Sequence, residues 1–167
     1  MISKDEVKNL FLYAPEAKGS NLIWKVDMPH HKVKGKLAGS PNNEGYWHIR
    51  IQSKLYKAHR LVWLLHNGVW PVKGLDHIDG NKNNNAIENL REATDAENNQ
   101  NKKIASNNTS GYIGVSWHKG HKKWGASIRS NNKQHHLGYH TTPESAHNAY
   151  IEAKKSMHMF NPILRAA

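Results

Sequence analysis

A chain of 167 residues with 37% hydrophobic and 22% charged side chains can build one domain or two small ones, and is too apolar to be disordered. It contains no cysteine, which excludes disulfides and cysteine-based zinc sites, and no apolar run near the roughly 20 residues that cross a bilayer. Lys and Arg number 24 against 13 Asp and Glu, a net charge of +11 that favours a polyanionic partner.

The chain opens on Ser3-Lys4-Asp5-Glu6, a capping box that predicts a short helix with Val7, Leu10 and Phe11 as its apolar stripe. Acidic residues interrupt this start before any apolar region forms, so no signal peptide is expected and a cytoplasmic protein is the simplest account. Residues 21–26 and 46–51 read as strands, separated by a basic loop carrying His30, His31, Lys32, Lys34 and Lys36. In the second strand Trp47, Ile49 and Ile51 share a core face, while Tyr46, His48 and Arg50 share the other. Gln52-Ser53 turns the chain into a partner strand over residues 54–58. Arg50, Lys54 and Lys57 of this hairpin are candidate DNA contacts, because a two-stranded ribbon fits a major groove. A purely structural sheet accounts for the same pattern equally well. Residues 59–66 then predict a helix whose Leu61, Val62, Leu64 and Leu65 pack inward, ended by Asn67-Gly68.

The stretch over residues 75–101 organises the rest. Residues 74–78 read as a short strand, Asp79-Gly80-Asn81 begins a long polar loop, and residues 89–93 read as a second strand. Thr94-Asp95-Ala96-Glu97 is a second capping box, so a helix follows and carries Asn98 in its first turns. Asp76 supplies an anionic oxygen and Asn98 a neutral carbonyl oxygen, a hard pair that suits Mg²⁺ keeping several waters for a substrate phosphate. The imidazole of His77 is mostly neutral at pH 7 and can take a proton from water. One tension is visible: neighbours on a strand point to opposite faces, so Asp76 and His77 share a site only where the strand ends or twists.

Asp-His-x-Asp-Gly-Asn from Asp76, then Glu88-Asn89-Leu90-Arg91, then the capped helix with Asn98, together resemble the HNH endonucleases, the ββα-metal nucleases, and especially their phage-type homing branch. The resemblance implies that His77 is the general base, Asp76 and Asn98 the metal ligands, and Asn89 the residue that ties the loop. It implies Mg²⁺, with Mn²⁺ as a substitute and no zinc, and cleavage to a 5′-phosphate and a 3′-hydroxyl. Residues 58–62 also resemble a lead-in of the phage-type enzymes, which would put His59 or Arg60 beside the scissile phosphate; helix packing is the favoured alternative.

Residues 104–110 are small and polar and read as a linker. Beyond it, residues 111–117, 124–129 and 134–139 read as three strands. Thr142 and Pro143 then start a helix striped by Ala146, Ala149, Tyr150, Ala153 and Met157. No acidic residue falls between Glu97 and Glu144, while Lys102, Lys103, Lys119, Lys122, Lys123, Arg129 and Lys133 all do, interleaved with Trp117 and Trp124. Cations for phosphates and aromatics for bases are what a DNA-binding surface needs. Tyr112-x-Gly114-Val115, Trp124-x-Ala126-x-Ile128-Arg129, Leu137-Gly138 and the alanine-striped helix resemble the ethylene-response-factor type DNA-binding domain. That resemblance puts Ile113, Ser116, Ser127, Arg129, Gln134 and His136 on the DNA side, and gives Lys119, Lys122 and Lys123 to phosphates.

The expected architecture is α+β: a ββα-metal module with N-terminal antiparallel strands, then a small domain of three strands and a helix. The expected divisions are residues 1–58, 59–103, a linker over 104–110, and 111–167. The expected function is metal-dependent nicking of double-stranded DNA at a chosen site by a monomer. A non-catalytic DNA-binding regulator and a non-specific degradative nuclease are the alternatives.

Overall fold

The computed structural model describes residues 1–100, 104 and 107–158, so Lys102 and Lys103 of the basic span lie outside the described residues. Two compact units divide the chain, residues 1–98 and residues 99–167. Among the described residues no helix is long and apolar enough to cross a membrane.

In the first unit α1 (Lys4–Leu10) starts on the capping box its sequence predicts: Ser3 N and Oγ donate to the Glu6 carboxylate, and Glu6 N donates to Ser3 Oγ. The helix stops one residue short of its expected stripe, because Phe11 adopts an extended backbone and begins β1 (Phe11–Tyr13). That strand pairs antiparallel with β2 (Leu22–Trp24). A second sheet holds β3 (Ser40–Pro41), β4 (Trp47–Ile51) and β5 (Lys54–Lys57), with β4 in the middle. The turn between β4 and β5 has φ of +45° at Gln52 and +64° at Ser53, the twist that suits a two-residue hairpin. Then α2 (Ala58–Asn67) buries Leu61, Val62 and Leu64 and closes at Gly68.

The hairpin of β6 (Gly74–His77) and β7 (Leu90–Ala93) follows, with a single turn of 3₁₀ helix (Ile87–Asn89) before β7 and α3 (Asp95–Gln100) after it. Strand, long polar loop, strand and helix are the order expected from the sequence. One apolar cluster takes in Val7, Phe11, Leu22, Ile49, Leu61 and Leu90, and so runs without a break across position 58. The hairpin is therefore seated on a core that the N-terminal strands and α2 supply.

In the second unit β8 (Val115–His118), β9 (Lys123–Ser130) and β10 (Lys133–His140) form an antiparallel sheet with β9 central. Thr142 caps α4 (Pro143–Met157), whose Ala146 and Tyr150 pack on the sheet. The expected stripe is corrected at its far end: Met157 is exposed, and Lys154 and His158 are buried instead. At Gly114 φ is +76°, and a Cβ there would overlap the Tyr150 ring, so only glycine lets strand and helix approach this closely. The expected linker is only partly one: Asn108 and Ser110 hydrogen-bond to Tyr112 and Val115 and fasten it to the sheet. The α+β class read from the sequence is the class observed.

Candidate active site

The register of the hairpin sorts the candidate residues by face. Asp76 pairs with Arg91 and His77 with Leu90, so consecutive side chains leave the strand on opposite sides. On one side Arg91 grips Asp76, with Nε at 3.1 Å and Nη2 at 2.8 Å from Oδ2. Gly74 lies on that same side, and a Cβ built on it would come within 3.3 Å of Asn98 Nδ2. The Asn98 amide thus sits over the face that bears Asp76. Its helix is set by the second capping box, in which Thr94 N and Oγ1 both lie 2.7 Å from the Glu97 carboxylate.

On the other side His77 is only 4% exposed. Its ring meets His59 edge-on at 5.2 Å between centroids and Tyr46 at 6.2 Å, and its Nε2 lies 2.9 Å from Asn85 Oδ1. Burial pushes its pKa below the ordinary imidazole value, although the Asn85 bond and the charges of Asp79 and Asp76 pull the other way. His77 is therefore the neutral, proton-accepting form at pH 7.

Asn89 organises the loop between the strands. Its Nδ2 donates to Asp79 Oδ1 and to Asn84 O, its Oδ1 accepts from Asp79 N, and its carbonyl accepts from Ile78 N. Burial works against the Asp79 carboxylate, but donors from Asn84, Asn81 and Asn89 outweigh it and hold its pKa below the usual range. Among the described residues no three His, Cys, Asp or Glu converge as a metal-binding group. A cation here would rest on Asp76 and Asn98, two hard oxygen donors on one face, with water and phosphate completing its shell; that donor set fits Mg²⁺.

The other upstream candidates separate. Arg50 and Lys57 share the outer face of the β4–β5 hairpin with His48, and Lys54 sits at its turn, all three candidates exposed. His59 is corrected as a DNA contact: at 4% exposure it is packing beneath His77. Arg60 lies over the Trp70 ring and reaches the Pro71 carbonyl, which also makes it part of the helix packing. The sequence reading put Tyr46 only on the hairpin face offered to DNA and did not single out Lys82: the ammoniums of Lys82 and Lys57 lie 4.2 and 4.9 Å from the Tyr46 ring centroid, beside His77. Lys82 is the only cation in the Asn-rich loop, which was the available signal.

A family model of HNH endonucleases matches residues 56–100, and a model of the AP2 domain matches residues 110–159. Protein 3.8 of Escherichia phage T7 is 44% identical over 89 residues, covering 50% of this chain and 73% of that protein. The chain belongs to the HNH endonuclease family. That membership and the AP2 match support a DNA nuclease with a second DNA-binding unit. A solved structure described as DNA binding and cleavage by the HNH homing endonuclease I-HmuI is similar at 32% identity and a TM-score of 0.34, over 41% of this chain and 42% of that one.

In the AP2 unit of this HNH endonuclease, Ser127 pairs with His136 and Arg129 with Gln134, and Ser116 pairs with Gly125, so these candidates share the sheet face away from α4. Gln134 Nε2 donates to Ser127 Oγ. Ile113 precedes β8 and is not on the sheet. Lys119 and Lys122 lie in the exposed turn between β8 and β9, and Lys123 opens β9. Trp117 and Trp124 pair across the strands on the same face as Val115 and Ala126; Trp124 is corrected, since it packs with that cluster, while Trp117 remains exposed. The aromatic ring on the outer face is Tyr139, which a register shift between His136 and Tyr139 moves there, opposite Gly125. His118, His121 and His136 pack around that ring at 5.1, 4.2 and 4.5 Å.

Proposed function

We propose that this HNH endonuclease is a divalent-metal-dependent enzyme that nicks double-stranded DNA at a recognised site, acting as a monomer in the cytoplasm of a host cell. The observation that carries the reading is the shared face of Asp76 and Asn98. The neutral imidazole of His77 leaves β6 on the other side at the strand's last residue, and the reading has the scissile phosphate span that strand end to reach both. In this reading Asp76 and Asn98 hold Mg²⁺ or Mn²⁺, and Arg91 orients the Asp76 carboxylate. When bound, the ion polarises a phosphate oxygen and stabilises the charge left on the departing 3′ oxygen. His77 accepts the proton of the attacking water, and its depressed pKa keeps it ready to do so at neutral pH. Asn89 keeps the loop closed around the ring without doing chemistry. Arg50, Lys54, Lys57 and Lys82 hold the backbone near the cut, and the outer face of the AP2 sheet reads sequence.

The test is a plasmid-nicking assay in Mg²⁺. His77→Ala and removal of the metal by a chelator are each expected to slow nicking by at least about a hundredfold, with DNA binding by His77→Ala retained. Nicking at the wild-type rate in either case refutes the assignment. The low exposure of His77 favours a second reading, a DNA-binding protein that no longer cuts; DNA retarded in a gel but intact in both Mg²⁺ and Mn²⁺ would select it. Discrete fragments from phage DNA separate a site-specific enzyme from a degradative one, which leaves a smear.

A further inference from the structure

The HNH match begins at residue 56, yet the ring of His77 is held by a residue that residues 14–21 hold in turn. Asn85 is fully buried. Its backbone N–H donates to Asn21 Oδ1 at 2.8 Å, and its Nδ2 donates to the Gly19 carbonyl and, at 3.4 Å, to the Lys82 carbonyl. With two carbonyl oxygens at Nδ2, the amide can present only Oδ1 to His77. Oδ1 is an acceptor, so the His77 nitrogen 2.9 Å away must be the one that carries hydrogen.

The segment that fixes this amide is itself over-determined. Asn21 donates from Nδ2 to the carbonyl of Pro15 and is 1% exposed. Gly19 N donates to Asn83 O, and Trp47 Nε1 donates to Asn83 Oδ1 at 2.7 Å. Gly19 lies flat on the Trp47 ring, where a Cβ would come within 2.6 Å of Cζ2, and its φ of +114° also asks for glycine.

We infer that Asn85, clamped by Gly19 and Asn21, is the positioning residue that fixes His77 as the Nε2–H tautomer and leaves Nδ1 as its basic nitrogen. The chemistry is general: a neutral imidazole has one donor and one acceptor nitrogen, and the hydrogen bond on one decides the role of the other. A base presented through the wrong nitrogen cannot take the water proton. This deepens the nuclease reading, and rests on it only in naming His77 the base.

The experiment is ¹⁵N NMR of the imidazoles of the full chain in mildly alkaline solution, with the His77 signals assigned by their loss in His77→Phe. Wild-type His77 is expected to carry hydrogen on Nε2, and Asn85→Asp, which keeps an oxygen toward the ring, is expected to retain that form. Asn85→Ala is expected to lose it, with kcat for nicking falling at least about tenfold and KM little changed. Hydrogen on Nδ1 in the wild-type ring overturns the inference, as does an Asn85→Ala protein with the wild-type tautomer and rate. Should Asn85→Ala fail to fold, the wild-type and Asn85→Asp spectra still decide. An Nε2–H ring in a chain that nicks nothing supports the positioning and sinks the nuclease reading; active nuclease with an Nδ1–H ring does the reverse.

Discussion

His59 lies edge-on beneath His77, and its own titration has a measurable consequence. Burial, with the neighbouring charges of His77, Lys57, Arg60 and His48 adding to it, lowers its pKa from 6.5 to about 3. Between those values the unfolded chain binds a proton that the folded chain refuses. Stability is therefore full above about pH 6.5 and falls as the pH drops toward 3, by at most about 1.4 kcal/mol per pH unit for one ring. His77, shifted in the same direction, adds to the slope. Melting temperatures measured from about pH 7 down to about pH 4 are expected to fall more steeply for the wild type than for His59→Phe; equal slopes refute this account. At this scale the placement of Asp76 and His77 on a strand, Asn89 at the end of the loop and Asn98 on a helix could be read from the sequence, because each sits at a fixed offset in a recognisable order. Asn85 was not legible. It is one of five asparagines between positions 81 and 89, and nothing separates it from Asn83 or Asn84 until the chain folds back and brings Gly19 and Asn21 against it.

Among the elements, α3 is the one whose local stability bears directly on the site. It has six residues, no buried side chain, and a capping box built on Thr94 and Glu97. A helix that buries no side chain over its described residues depends on its cap. Thr94→Ala is expected to cost about 1 kcal/mol of helix stability and to loosen Asn98, so the Mg²⁺ concentration giving half-maximal nicking should rise several-fold while DNA binding holds. An unchanged metal requirement would detach Asn98 from the metal. The capping boxes at Ser3 and Thr94, the turn at Gln52-Ser53 and the sheet of the second unit could be read directly, since each rests on neighbours in sequence. Three features could not. A stripe running through Phe11 gave no sign that the backbone would turn extended there and start β1. The two residues of β3 are too few to show a period. The shift in β10 reverses the alternation after His136, so a strict period of two sends Tyr139 to the wrong face.

At the scale of the whole molecule, charge sets how the chain meets DNA. The net charge of +11 is concentrated where acidic residues are absent, between Glu97 and Glu144. Lys119, Lys122 and Lys123 stand exposed at one end of the AP2 sheet. Each phosphate contact contributes roughly 0.9 to the slope of log affinity against log salt. Alanine at all three is expected to flatten that slope by about 2 to 3 and to weaken binding evenly across sequences. An unchanged slope would place those lysines off the duplex. Arg129→Ala, on the sheet face, is expected instead to relax discrimination between sites.

The contacts of Gly19, Asn21 and Trp47 on the loop that carries Asn85 bear on how portable this nuclease is. A graft of residues 56–100 into a foreign scaffold would import the histidine, the oxygen donors and the connecting loop, but would leave the outside anchor behind. Recombination that shuffles such modules between genes therefore has to carry the upstream strands along, or land where the recipient already offers a carbonyl and an amide in the same places.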